Sequence, residues 1–411
     1  MTSKHLQYET SKTVMQYLDA NLRFMLAQQA PTLRSIEKIV PLQIRNLVIG
    51  DASFKINETK YTFSVHRESL DGSKLFSEPD CDYDEFGFPM YPGRVNVLPG
   101  DIDLRDARAL RVQWKNDTVE YEMILKLQLR HLTAQPWYFS GRDQKRQRAI
   151  NDCRAQLAPF ETRRNNTPLP YTPSLQLTVE SPDGKNHIQR APYTSMLYEN
   201  MKKLSTVFFE SRGSLLQVEK LIVSASDCVL RFPVDLRVHV QNLKIEIRSS
   251  SIFNLPNYSA LSPVIIKPLN SLEIRGALHD LRNLEHEIVK EAKQLIIGEF
   301  WERWLDTWKN LKNRKVHLKD DNHRFTSEHF IQLIDDWLVN GKPVGRCYTF
   351  AMDSEMIQET VRHVKWWPEV IEKSESSVSL SMKNGSKLVV SSEIGSVSSG
   401  VLKMKVIRSR Q

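Results

Sequence analysis

Leu221-Ile222-Val223, Leu243-Lys244-Ile245, Leu272-Glu273-Ile274, Leu295-Ile296-Ile297 and Val316-His317-Leu318 share one pattern: two apolar residues flanking a variable one. Successive starts lie 22, 29, 23 and 21 residues apart. Side chains alternate between the two faces of a strand, so each core turns its outer residues one way and its middle residue the other. A strand recurring at this interval leaves room for a connection that returns to the same edge. The expected product is a parallel sheet with helices on one side.

Leucine-rich repeats run about 20–29 residues and carry such a strand on one face. A leucine-rich-repeat-like curved sheet fits the intervals, and a plain α/β layer is the other reading. In either, Lys220, Lys244, Glu273 and His317 should share the solvent-facing side while the leucines face the helices. These four residues are the candidate target-binding strip.

On the C-terminal side, Phe300, Trp301, Trp304, Leu305, Trp308 and Leu311 form one helical stripe. Thr326 caps a second helix that buries Phe330, Leu333, Ile334 and Trp337 and stops at Gly341. Val378, Leu380 and Met382 alternate, Asn384-Gly385 turns the chain, and Val401 to Ile407 closes a meander. On the N-terminal side, residues 5 to 37 are helical, with breaks at Asp19-Ala20-Asn21 and Pro31. Strands at Leu42–Ile49, Phe54–Ile56 and Tyr61–Val65 are expected to form one small antiparallel sheet. A loop is expected over 70–105, helices over 118–131 and 143–157, and a strand through Leu175, Leu177 and Val179 that turns at Pro182-Asp183-Gly184. The fold class is α+β, with a helical module at 1–40, a mixed domain at 41–190, a repeat-like α/β region at 191–370 and C-terminal strands at 371–411.

The 411 residues are 40% hydrophobic and 26% charged, which suits a folded soluble chain. The longest uncharged stretch, Ser249 to Ile266, is rich in serine, asparagine and proline, so no membrane span is expected. The opening residues hold no apolar run of signal-peptide length, and the expected compartment is cytoplasmic or nuclear. Cys81, Cys153, Cys228 and Cys347 are too widely spaced for a local metal or redox motif.

The net charge of +8 is densest at Arg142, Lys145, Arg146, Arg148, Arg154, Arg163 and Arg164. Asp143, Asp152 and Glu161 interrupt the cluster and no nucleic-acid motif accompanies it, so it reads first as a solvated helix face. A structural or nucleic-acid-binding module on 142–164 is the alternative function. Asp80, Asp82 and Asp84 begin like a calcium loop, but Glu85 and Tyr91 replace its glycine and final glutamate. His286-Glu287-Ile288-Val289-Lys290 lacks the second histidine of a zinc helix. Gly395 to Gly400 lacks the nucleophile-elbow spacing, and no phosphate-cradling glycine loop occurs. No catalytic residue, cofactor or metal site is expected.

Leu6-Gln7-Tyr8-Glu9, then Val14-Met15, then Tyr17-Leu18-Asp19 resemble the F-box pattern L-P-x-E, I-L, Y-L-D, with Gln7 in place of proline. Residues 31–38, 41–44, 97–101 and 163–168 resemble a nematode family of uncharacterised F-box-like proteins. Phe325–Phe330 with Leu333–Trp337 is similar to the helix opening the last repeat of nematode F-box-associated regions. This resemblance implies that Leu6, Glu9, Val14, Met15 and Leu18 hold the Skp-family adaptor of a cullin ubiquitin ligase. It also implies that the C-terminal region binds a target protein and that nothing in the chain is catalytic.

Overall fold

The computed structural model describes residues 8–69, 81–90, 96–104, 117–134, 143–169, 171–212, 216–225, 229–247, 258–266, 268–277, 284–299, 305–319, 325–394 and 399–409. The protein is mixed α+β and divides into two compact units. One takes residues 1–49, 212–226 and 237–411, and the other takes 50–211 and 227–236. The edges expected at 40 and 190 each fall inside a unit, residue 40 in the first and residue 190 in the second.

In the first unit seven neighbouring strands run parallel in chain order. They are Gln43–Ile49, Leu216–Ala225, Val238–Ile247, Ser271–Ala277, Gln294–Glu299, Lys315–Lys319 and Cys347–Asp353. The five cores quoted above are in exact register. Leu47, Leu221, Leu243, Leu272, Leu295, Val316 and Tyr348 form one continuous rung, and every one of them is buried. The buried pattern is longer than the cores: Val218, Val240, Leu269 and Ala292, each three residues earlier, are buried too. At the corresponding place before Val316 stands Asn313. Its Nδ2 donates to the carbonyls of Val289 (2.6 Å) and Ala292 (2.9 Å), which lets a polar side chain occupy an apolar position.

The meander continues this sheet. Cys347–Asp353 pairs antiparallel with Ser399–Arg408, followed in order by Ser386–Ile394, Ser377–Ser381 and Val370–Lys373. The chain turns at Asn384-Gly385, but only Gly385 takes a positive φ, 75°, where the type I′ turn that Asn-Gly suggests needs both. On the buried face, Trp308 of helix Leu305–Asn310 and Phe330 and Trp337 of helix Ser327–Asn340 meet Tyr348 and Phe350 edge-on or tilted. Gly341 ends the second helix at φ 70°. Phe300, Trp301 and Trp304 lie outside the described residues.

Three helices open this unit: Tyr8–Tyr17, Ala20–Gln29 and Pro31–Ile39. Asp19 caps the second by accepting from the Asn21 N–H, and Pro31 starts the third, so both breaks fall where capping chemistry puts them. Met15, Ile36 and Val40 form their shared core. Beneath it the Glu37 carboxylate holds two buried guanidiniums, Arg23 at 3.2 Å and Arg212 at 2.8 Å.

The second unit carries the antiparallel sheet Ser53–Ile56, Thr59–Ser69, Tyr171–Glu180 and Asn186–Pro192. Helix Leu197–Phe209 packs against it, Phe208 on Tyr61 and Phe209 on Phe54. The strand Gln43–Ile49 also has a parallel partner, Leu216–Ala225, about 170 residues along the chain. Helices Val119–Ala134 and Asp143–Asn165 clasp Leu125, Leu157 and Phe160 with Phe88. The Asp101 side chain, fully buried, is neutralised by Arg231 and by Lys202 at 2.8 Å.

Candidate functional site

The leucine-lined face is consumed by the core, which leaves the opposite face of the parallel sheet as the candidate surface. Lys244, Glu273 and His317 occupy one rung of it, with Ile222 and Ile296. Lys220 lies one rung earlier, beside Asn242, Ser271, Gln294 and Lys315. The four candidates therefore share a face across two rungs.

Charge on the middle of this face is internally compensated. Lys244 pairs with Glu246, while Glu273 takes Arg275 at 2.8 Å and Lys319 at 3.4 Å. Burial alone would raise the Glu273 carboxyl, but the Arg275 hydrogen bond and the Lys319 ammonium hold it below the usual range. His317 shares a 2.7 Å hydrogen bond with the Thr349 hydroxyl.

Burial first, and the Lys319 ammonium second, lower the His317 pKa from its ordinary 6.5, with Glu273 opposing. The unfolded chain therefore takes up this proton more readily, and the group's contribution to stability falls as pH drops through about 6.5. Denaturant titrations at pH 7.5 and 5.5 should show wild type losing more stability than His317→Gln. Equal losses would contradict this environment for His317.

In the N-terminal module Leu6 lies outside the described residues. Glu9 and Val14 are exposed, whereas Met15 is 2% exposed and Leu18 packs on its cluster. Met15 therefore serves the core and is not available to an adaptor, contrary to the implied set. Among the described residues of the three helices, the large apolar side chains that do face solvent are Tyr8, Val14, Tyr17, Leu22, Met25 and Ile39. Sequence spacing found the helix but misassigned its two faces, because both carry apolar residues.

The basic helix is partly committed to its own unit. Arg146 donates to the carbonyls of Leu132 and Thr133, at the C-terminal end of helix Val119–Ala134. Arg163 lies over the rings of Phe88 and Phe160, and Arg164 pairs with Glu122. Asp82 accepts from the Tyr193 hydroxyl (2.7 Å) and the Leu197 N–H (2.5 Å), while Asp84 accepts from Phe86 and Phe88 N–H. His286 accepts from Ile288 N–H as a helix cap. Among the described residues no three His, Cys, Asp or Glu side chains are grouped to hold a metal ion. Most of Gly395 to Gly400 lies outside the described residues.

Sequence reasoning passed over Cys347, Thr349, Lys403 and Lys405, which extend the polar face beyond His317. The signal was present, since Cys347 and Thr349 alternate with buried Tyr348 and Phe350.

By fold this is a mixed α+β protein built on a parallel sheet with one buried and one polar face. Residues 196–354 match the family model of a domain of unknown function, DUF3557. That stretch includes the parallel strands from Leu216–Ala225 to Cys347–Asp353. No curated protein and no solved structure matches the chain. No helix among the described residues is long and apolar enough to cross a membrane.

Proposed function

We propose that the chain is a substrate receptor of a Skp/cullin/F-box-type ubiquitin ligase, working in the cytoplasm or nucleus. In this reading the N-terminal helices, F-box-like as in the nematode family, hold a Skp-family adaptor. The polar face of the sheet, leucine-rich-repeat-like in its intervals, selects target proteins. The observation that supports it best is the set Tyr8, Val14, Tyr17, Leu22 and Met25, apolar side chains left in solvent on a three-helix module. Where such side chains adjoin, they mark a protein-binding surface. It moves the adaptor contact from Met15 to Tyr17.

Affinity purification of the tagged full chain with mass spectrometry should recover a Skp-family adaptor and a cullin. Val14→Asp with Tyr17→Asp should lose both, while His317→Glu should keep them and lose target proteins, with melting temperatures retained. A wild-type eluate without the adaptor would overturn the reading. The alternative, nucleic-acid binding through 142–164, predicts affinity that falls steeply with salt. The ties of Arg146, Arg163 and Arg164 to protein groups weigh against it.

A further inference from the structure

The polar face is not uniform along the sheet. Strand Cys347–Asp353 lies between Lys315–Lys319 and Ser399–Arg408, and the register sets Cys347 between Lys315 and Lys405. The next rung of the same face sets Thr349 between His317 and Lys403. Small side chains thus form a floor, and long basic ones stand on both flanks. Paired side chains on adjacent strands share a face, and strands lie about 4.8 Å apart, so the flanking rows stand about 10 Å from each other. That width suits one extended chain.

Lys319 is paired with Glu273 and Lys403 with Glu393, yet Lys315 and Lys405 have no carboxylate partner among the described residues. The middle of the sheet balances its own charges, and this end does not. Strand backbone groups here are already spent in the sheet, so recognition would fall to side chains. An extended segment repeats its side-chain direction every two residues, about 6.6 Å, the same interval that separates Lys403 from Lys405 along their strand.

We infer that the channel over Cys347 and Thr349, flanked by Lys315 and His317 on one side and Lys403 and Lys405 on the other, binds an extended acidic protein segment with carboxylates at alternate positions. This deepens the reading of the sheet's polar face as the target surface and rests on it. It assigns the partner's chemistry and moves the energetic centre from Lys244 to the last of the parallel strands. Opposite charges on the two partners supply both affinity and steering, and reversing the flanks converts attraction into like-charge repulsion.

The test is fluorescence anisotropy of the full chain with a labelled alternating Glu-Ser octapeptide, with the Gln-Ser version as comparison. Saturable binding of the acidic peptide only, weakened at least about tenfold by Lys315→Glu with Lys405→Glu, is the expected result. Lys55→Glu with Lys185→Glu makes the same change in net charge on two hairpins of the second unit and should leave binding intact. Lys315 and Lys405 are exposed, and an unchanged melting temperature would confirm that the variant folds. Equal binding of the two peptides, or equal weakening by both double variants, would overturn the inference. So would tighter channel-dependent binding of single-stranded DNA or of phosphatidylserine vesicles. The assay contains no adaptor, so a chain that captures no adaptor but binds the acidic peptide through this channel sinks the ligase reading and supports the channel.

Discussion

Glu37→Ala should cost about 3–5 kcal/mol of unfolding free energy, because it removes the carboxylate that two buried guanidiniums share. Glu37 is 1% exposed, and its side chain holds Arg23 and Arg212 together. Burial lowers both arginine pKa values, with the Glu37 charge opposing, so their environment already disfavours positive charge. Arg23 also donates to the carbonyls of Glu37, Val40 and Pro41, at the negative end of helix Pro31–Ile39. Those bonds moderate the loss without replacing the counter-charge. Glu37→Gln, which keeps acceptors but no charge, should fall between alanine and wild type. Urea denaturation measures this, and an alanine variant within about 1 kcal/mol of wild type would show that the cluster is solvated.

Trp337→Ala should be comparably severe, about 3–5 kcal/mol, through loss of apolar burial and the cavity left behind. The indole is fully buried and meets the Tyr348 ring edge-on at 4.8 Å. Tyr348 is itself fixed, its hydroxyl donating to the Trp308 carbonyl at 3.1 Å. A collapse of the site would therefore disturb the strand Cys347–Asp353, whose outer face carries Cys347 and Thr349. Trp337→Phe should cost less, since it keeps an aromatic ring against Tyr348. The measurement is again the denaturation midpoint, and a loss below about 1 kcal/mol for alanine would contradict the packing.

Much of this sheet was legible from residues alone, for a physical reason. Between Leu221 and Leu318 the connections are short, the buried residues are aliphatic and the period is nearly regular. The first strand, Ile44 to Ile49, repeats the same pattern, but residues 50–211 separate it from its neighbour. Strands close in sequence usually pair, and that expectation does not reach a parallel partner so far along the chain. Tyr348 and Phe350 continue the buried rungs with aromatic residues, which hid the seventh strand from a search for leucine and isoleucine.

The candidate site was legible only in part. Lys244, Glu273 and His317 followed from two-residue alternation, and that alternation is local. The partners of Cys347 were hidden, because Lys405 reaches it through a meander that leaves and re-enters the sheet about 58 residues later. At the N-terminus, Met15 and Val14 are both apolar and adjacent, and helical spacing does not say which of two apolar stripes the third helix will cover.

The most direct test of the receptor reading is isothermal titration of the purified full chain with a purified Skp-family adaptor. The prediction is saturable one-to-one binding that Val14→Asp with Tyr17→Asp abolishes while the melting temperature stays unchanged. A folded wild-type chain that gives no binding heat and forms no complex in gel filtration would contradict it.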